Sequence, residues 1–180
     1  MLLNREESCL LLVDVQEKLA PHVINPDALT SRCEWLMHLA KELNVPILVS
    51  EQYPSGLGPT IKPLRDLAHQ TCISKVHFSG YSEPSFLDSW QEINKKQVVI
   101  AGIETHVCVL QTAFEMYEAG FQVFVVVDAV SSRHEVDHKY GLKRMKHYGI
   151  DLVSAEMVFF EWIRKAGTPD FKSLSQRYLR

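Results

Sequence analysis

The sequence predicts an α/β fold built around a parallel sheet, and three observations carry that expectation. Short, β-branched apolar runs recur at Leu10–Val13, Ile47–Val49, Val98–Ala101 and Val123–Val127. They are continuous instead of alternating in polarity, as strands covered by helices on both faces must be. Each is separated from the next by helical periodicity, the pattern of crossover connections between parallel strands. A length of 180 residues fits one such unit, a single domain over 1–180.

From the N-terminus, the first strand runs into Asp14. The first helix is predicted to open at Asn25-Pro26, with Asn25 capping and Pro26 in the first turn, and to end at Asn44. It carries Leu29, Cys33, Leu36, Met37, Ala40 and Leu43 inward. The Pro- and Gly-rich stretch Tyr53–Pro63 reads as a surface loop after the second strand. A third short strand is expected at Cys72-Ile73-Ser74, leading into Lys75, and a helix at Ser85–Ile93. Thr105–Ala119 is predicted as one helix, with Val109, Thr112, Ala113 and Met116 buried and Gly120 as its stop. Further helices are expected at Val136–Tyr148, Ala155–Ile163 and near the C-terminus.

Composition narrows the function. The chain is 46% hydrophobic and 23% charged, with a formal net charge of -3 and a mean hydropathy of -0.07. That is the balance of a globular protein with apolar material for a core. No run of basic residues offers an electrostatic footprint for nucleic acid or an anionic membrane, so the expected partner is a small molecule. The apolar stretch Cys9–Val13 is too short for a signal-peptide core, which leads to the expectation of a cytoplasmic protein. The four cysteines, Cys9, Cys33, Cys72 and Cys108, form no CxxC pair, so neither a zinc site nor a disulfide framework is expected.

Three residues stand where an open α/β sheet places its chemistry, at the carboxyl ends of strands. Asp14 follows the first apolar run directly, and on position alone it serves equally well as a cap for the next turn. Cys108 falls in the first turns of the helix after the fourth strand, where the helix dipole and free N–H groups favour a thiolate and an oxyanion. Taken by itself, a buried helical cysteine is more often a small packing residue. Lys75 ends the third strand; most lysines are solvated, but one beside a carboxylate and a thiol would stabilise negative charge.

The ordered set is more specific than any member. Leu11-Leu12-Val13-Asp14-Val15-Gln16, Ser74-Lys75 and Gly102-Ile103-Glu104-Thr105-His106-Val107-Cys108-Val109 resemble the three signature segments of the isochorismatase-like cysteine hydrolases. The resemblance runs from about Cys9 to Val158 and takes in Val125-Val126-Val127-Asp128-Ala129 and Ser131-Ser132-Arg133. It implies a three-layer α/β/α, Rossmann-like fold with a six-stranded parallel sheet. It also implies a catalytic triad of Asp14, Lys75 and Cys108. The Ile103-Glu104 peptide bond is expected to be cis, turning the Glu104 N–H toward the Cys108 N–H to form an oxyanion hole. Members of such families commonly assemble as homo-oligomers.

The implied reaction is hydrolysis of a small amide or related C–N bond through a Cys108 thioester, without a cofactor. The nicotinamidase branch differs by an Asp-x-His metal pair after the second strand, where this chain has Ser50-Glu51-Gln52-Tyr53. No metal is expected, since Glu51, His77 and His106 are scattered and eight histidines are unremarkable in a chain of this size. The segment Glu51–Pro59 resembles the corresponding loop of isochorismatase domain-containing proteins. Tyr53, Leu57, Phe78 and Tyr81 are candidate pocket walls, with Gln16 and His106 as polar contacts, although aromatic residues near strand ends also serve as packing.

Two other readings compete. A catalytically silent binding or oligomeric scaffold would have no need of all three triad residues. A nucleotide-binding Rossmann or flavodoxin-like carrier would need a phosphate loop, and the chain has neither GxGxxG nor GxxxxGK[ST].

Overall fold

The computed structural model describes residues 1–68 and 72–179. Six parallel strands form one sheet in the order β3-β2-β1-β4-β5-β6. They are β1 (Ser8–Val13), β2 (Ile47–Gln52), β3 (Cys72–Lys75), β4 (Gln97–Ile103), β5 (Gln122–Ser131) and β6 (Asp151–Val153). Helices cover both faces. α1 (Pro26–Glu42), α7 (Ala155–Ile163) and α8 (Pro169–Tyr178) supply one apolar cluster; α4 (Pro84–Ile93), α5 (Leu110–Glu118) and α6 (Glu135–Tyr148) supply the other. The expected three-layer α/β/α fold is therefore present. Every residue of β1 and β4 is buried, which accounts for their unbroken apolar runs.

The strand order reverses direction about β1 and β4, and the crevice beyond their carboxyl ends is where such sheets hold ligands. The two strands approach closely there. Gly102 takes φ +119°, and a Cβ on it would stand 2.1 Å from the Val13 carbonyl oxygen. Glycine is thus the residue that lets β1 and β4 close up beside Asp14.

Several elements differ from the sequence expectations. Asn25 adopts the left-handed conformation and makes no side-chain cap, so α1 is entered by backbone geometry; a capping side chain needs extended φ/ψ at that position. The surface loop after β2 holds two single helical turns, α2 (Pro54–Leu57) and α3 (Lys62–Arg65). Thr105–Ala119 is not one α-helix. Thr105–Val109 is a π-helical turn, in which the Glu104 carbonyl accepts from the N–H groups of both Val107 and Val109, and α5 starts only at Leu110. β5 extends to Ser131, past a register irregularity opposite Ile100–Gly102. Among the described residues, no helix is long and apolar enough to cross a membrane.

Candidate active site

Strand register assembles the site. Val13 pairs with Ser50 and with Gly102, and Gln52 pairs with Lys75, so Asp14, Ser50, Gln52 and Lys75 share one edge of the sheet. At Asp14 the chain leaves the sheet with φ +53°, a conformation that aspartate tolerates better than most residues and that recurs at functional sites. The Asp14 N–H still donates to the Ser50 carbonyl at 3.0 Å.

The Asp14 and Lys75 side chains are both fully buried and form an ion pair, with Nζ 2.8 Å from Oδ2. Burying two charges is tolerable only when their remaining valences are met. Ser50 Oγ donates to Asp14 Oδ1 at 2.8 Å. The ammonium donates to Gln52 Oε1 at 2.6 Å and to the carbonyls of Phe78 and His77 at 3.0 and 3.2 Å. These three acceptors take its hydrogens, so Asp14 Oδ2 feels the charge of Lys75 without an aligned donor from any described residue.

Cys108 completes the group from the π-helical turn. It is 7% exposed, with Sγ 4.0 Å from Gln52 Oε1. Burial pushes its thiol up to about 12; the Asp14 charge adds to the shift and Lys75 opposes it. The expectation that a helix start and a lysine lower the thiol's pKa is corrected here: desolvation and the Asp14 carboxylate outweigh both. Cys9, Cys33 and Cys72 are likewise pushed to about 12, burial being the leading cause in each.

The Ile103-Glu104 peptide is cis. The Glu104 carboxylate accepts from the Arg133 N–H at 2.9 Å and pairs with Arg133 Nε at 3.2 Å. The expected pocket residues take different positions. Gln16 is buried, and its carboxamide is spent on backbone: Oε1 accepts from Gln52 N, while Nε2 donates to the carbonyls of Gln52 and Gly58. It fastens the 53–60 loop to β2 instead of offering free polar groups. Tyr53 and Phe78 are 56% and 54% exposed beside the site, and Leu57 is half-buried. Tyr81 packs its ring against Phe86 and Phe121 in the cluster under α4 and α5. His106 Nδ1 lies 3.0 Å from Ser132 Oγ, and its Nε2 is 3.9 Å from Asp137.

Ser50 and Gln52 were not anticipated as site residues. A polar residue ending an apolar strand was the available signal, but only the register shows that they face Asp14 and Lys75. Among the described residues, no three His, Cys, Asp or Glu side chains converge to hold a metal. Glu51 is taken up by Thr60 and His77 by Glu83.

The model of the isochorismatase domain matches residues 8–157. The chain belongs to the isochorismatase family. Isochorismatase domain-containing protein 2 of Rattus norvegicus is 38% identical over 175 residues, covering 95% of this chain and 80% of the relative. Among solved structures, the MAR1 ribonuclease from Caenorhabditis elegans superposes with a TM-score of 0.92 at 35% identity, covering 100% of this chain and 93% of that one. The YcaC gene product of Escherichia coli, described as an octameric hydrolase of unknown specificity, superposes with a TM-score of 0.88 at 28% identity, over 99% and 96% of the two chains. An isochorismatase-family hydrolase is therefore the frame in which the site's chemistry is to be read.

Proposed function

We propose that this isochorismatase-family hydrolase cleaves a small amide, or a related carbonyl C–N bond, with Cys108 as nucleophile, Asp14 as proton carrier and Lys75 as the positive charge paired with Asp14. One observation carries the reading: Asp14 Oδ2 is a buried acceptor with no aligned donor from any described residue, and the Asp14 carboxylate adds to the burial that raises the adjacent thiol. A carboxylate so held is ready to take a proton.

With the thiol neutral at rest, proton transfer accompanies attack. The Cys108 proton passes to Asp14 as the S–C bond forms, and the carbonyl oxygen becomes an oxyanion received by the Glu104 and Cys108 N–H groups. The C–N bond then breaks, and Asp14 returns the proton to the leaving nitrogen. Water next attacks the thioester, giving its proton to Asp14. The thiolate leaves and is reprotonated, so each turnover consumes one water and restores the enzyme. Gln52, bonded to Lys75 and near Sγ, keeps ammonium and thiol in register.

A phosphodiester substrate, as the name of the Caenorhabditis relative would invite, is less well supported. The ammonium is spent on Asp14, Gln52 and two carbonyls, and the chain carries net negative charge. A small uncharged carbonyl group suits a buried site better. Tyr53, Val76 and Phe78, exposed beside it, support assembly with further copies of the chain, in line with the octameric Escherichia coli relative. Four free cysteines fit the reducing cytoplasm.

The test is a panel of small primary amides and ureido acids, read by ammonia release and by mass mapping of quenched Cys108 peptide. Release with an acyl adduct on Cys108, both abolished in Cys108→Ala, is expected. Undiminished release from Cys108→Ala would overturn the assignment.

A further inference from the structure

The π-helical turn that carries Cys108 is held from outside by α6, and the contact is made of parts that the proposed chemistry does not use. Thr105, the first residue of the turn, is fully buried, and its hydroxyl lies 2.9 Å from His138 Nδ1. Three residues further along α6, Gly141 presses on the same turn. A Cβ there would stand 3.1 Å from His106 Cα and 3.2 Å from His106 N, so the absent side chain sets how closely helix and turn approach. His138 is half-buried, and burial holds its ring below the usual histidine range, so the neutral imidazole is favoured and its Nδ1 shares a hydrogen bond with the Thr105 hydroxyl in either tautomer.

We propose that His138 is a positioning residue for the nucleophile: through Thr105 it fixes the π-helical turn so that the Cys108 thiol stays under the influence of Asp14. The inference rests on the reading of Cys108 and Asp14 given above. A turn with one extra residue has its backbone bonds shared, as the doubly accepting Glu104 carbonyl shows, and so depends on outside contacts to keep one conformation. Movement of the turn by an ångström would leave the fold intact and uncouple thiol from carboxylate.

That coupling can be read without knowing the substrate. The probe is iodoacetamide at pH 9, with Cys108 alkylation followed by peptide mass mapping, and the quantity is the rate in Asp14→Asn divided by the rate with Asp14 present. With His138 intact, the ratio is expected to be about tenfold, because removing the carboxylate frees the thiol to ionise. In His138→Leu and, separately, in Thr105→Val it is expected to fall below threefold, and together the two substitutions should do no more than either alone. His138→Asn, whose carboxamide reaches the place of Nδ1, should restore it, as should Thr105→Ser.

A ratio unchanged in both His138→Leu and Thr105→Val overturns the inference, as do losses that multiply in the double variant. If His138→Leu melts too low to assay, Thr105→Val against Thr105→Ser decides the matter at nearly constant volume. A ratio near one even with His138 intact overturns the proton-carrier reading, and this inference with it.

Discussion

Replacing Asp14 by Asn separates the two things a buried carboxylate does to a cysteine. It raises the energy of the thiolate, and it receives the proton when the thiol attacks. A unit charge roughly 4 to 6 Å away, across an effective dielectric of about 20, is worth roughly 3 to 4 kcal/mol, which is about two to three pKa units. From about 12, the Cys108 thiol should therefore fall to roughly 9 to 10 in Asp14→Asn. Lower basicity trims nucleophilicity with a slope of about 0.4 to 0.5, so the net gain in alkylation at pH 8 is roughly tenfold to thirtyfold. The wild-type rate should keep climbing through pH 9 to 11, whereas the variant should begin to level near pH 10. Iodoacetamide pH–rate profiles with peptide mapping read both curves, and amide turnover should be lost in the same protein. A variant that alkylates no faster than wild type, or that still turns over, would refute the reasoning.

Removing the other half of the pair should act on stability. Lys75→Met leaves a buried, unpaired Asp14 and is expected to cost about 3 to 5 kcal/mol, measured by urea unfolding; a loss under about 1 kcal/mol would mean that water reaches the pair. Gly102→Ala should be still harder to accommodate, because its Cβ meets the Val13 carbonyl oxygen at 2.1 Å with φ at +119°. We expect insoluble protein or a large drop in melting temperature, and a normal melt would show that β1 and β4 can separate here. Gln16→Leu deletes three hydrogen bonds, two of them buried, to the backbone of residues 52 and 58. The 53–60 loop should then open first, giving faster tryptic cleavage at Lys18 or Arg65 with the far-ultraviolet spectrum unchanged. An unchanged digestion rate would show that the loop's backbone bonds suffice.

The layers of the fold were legible because burial on two faces forces unbroken apolar runs, as in Leu10–Val13 and Val98–Ala101. β6 was not, since Asp151–Val153 has one buried residue and three positions carry no period. Asp14 and Lys75 could be placed at strand ends because a charge directly after an apolar run marks the point where the chain leaves the sheet. Ser50 and Gln52 end a similar run, but what they face is a property of strand register, which the sequence does not spell out. The contact between Thr105 and His138 joins residues thirty-three apart and leaves no local pattern. The thiol's ionisation was misread for a related reason: the helix start was visible in the sequence, but the desolvation that dominates it was not.

For Cys108 as the proposed nucleophile, resting as a neutral, 7% exposed thiol has a consequence for survival in air. Peroxide, like alkylating agents, consumes the thiolate, so low-pKa cysteines are the ones first lost to sulfenic and sulfinic acids. In the proposed reaction, negative charge would develop on Cys108 only as a carbonyl is there to receive it. The enzyme should therefore outlast exposures that inactivate hydrolases with a standing thiolate, and the mass of the Cys108 peptide after peroxide treatment would show whether it does. Durability of this kind would come from the same burial beside Asp14 that the proposed turnover uses, so variants made more reactive at rest should also be shorter-lived.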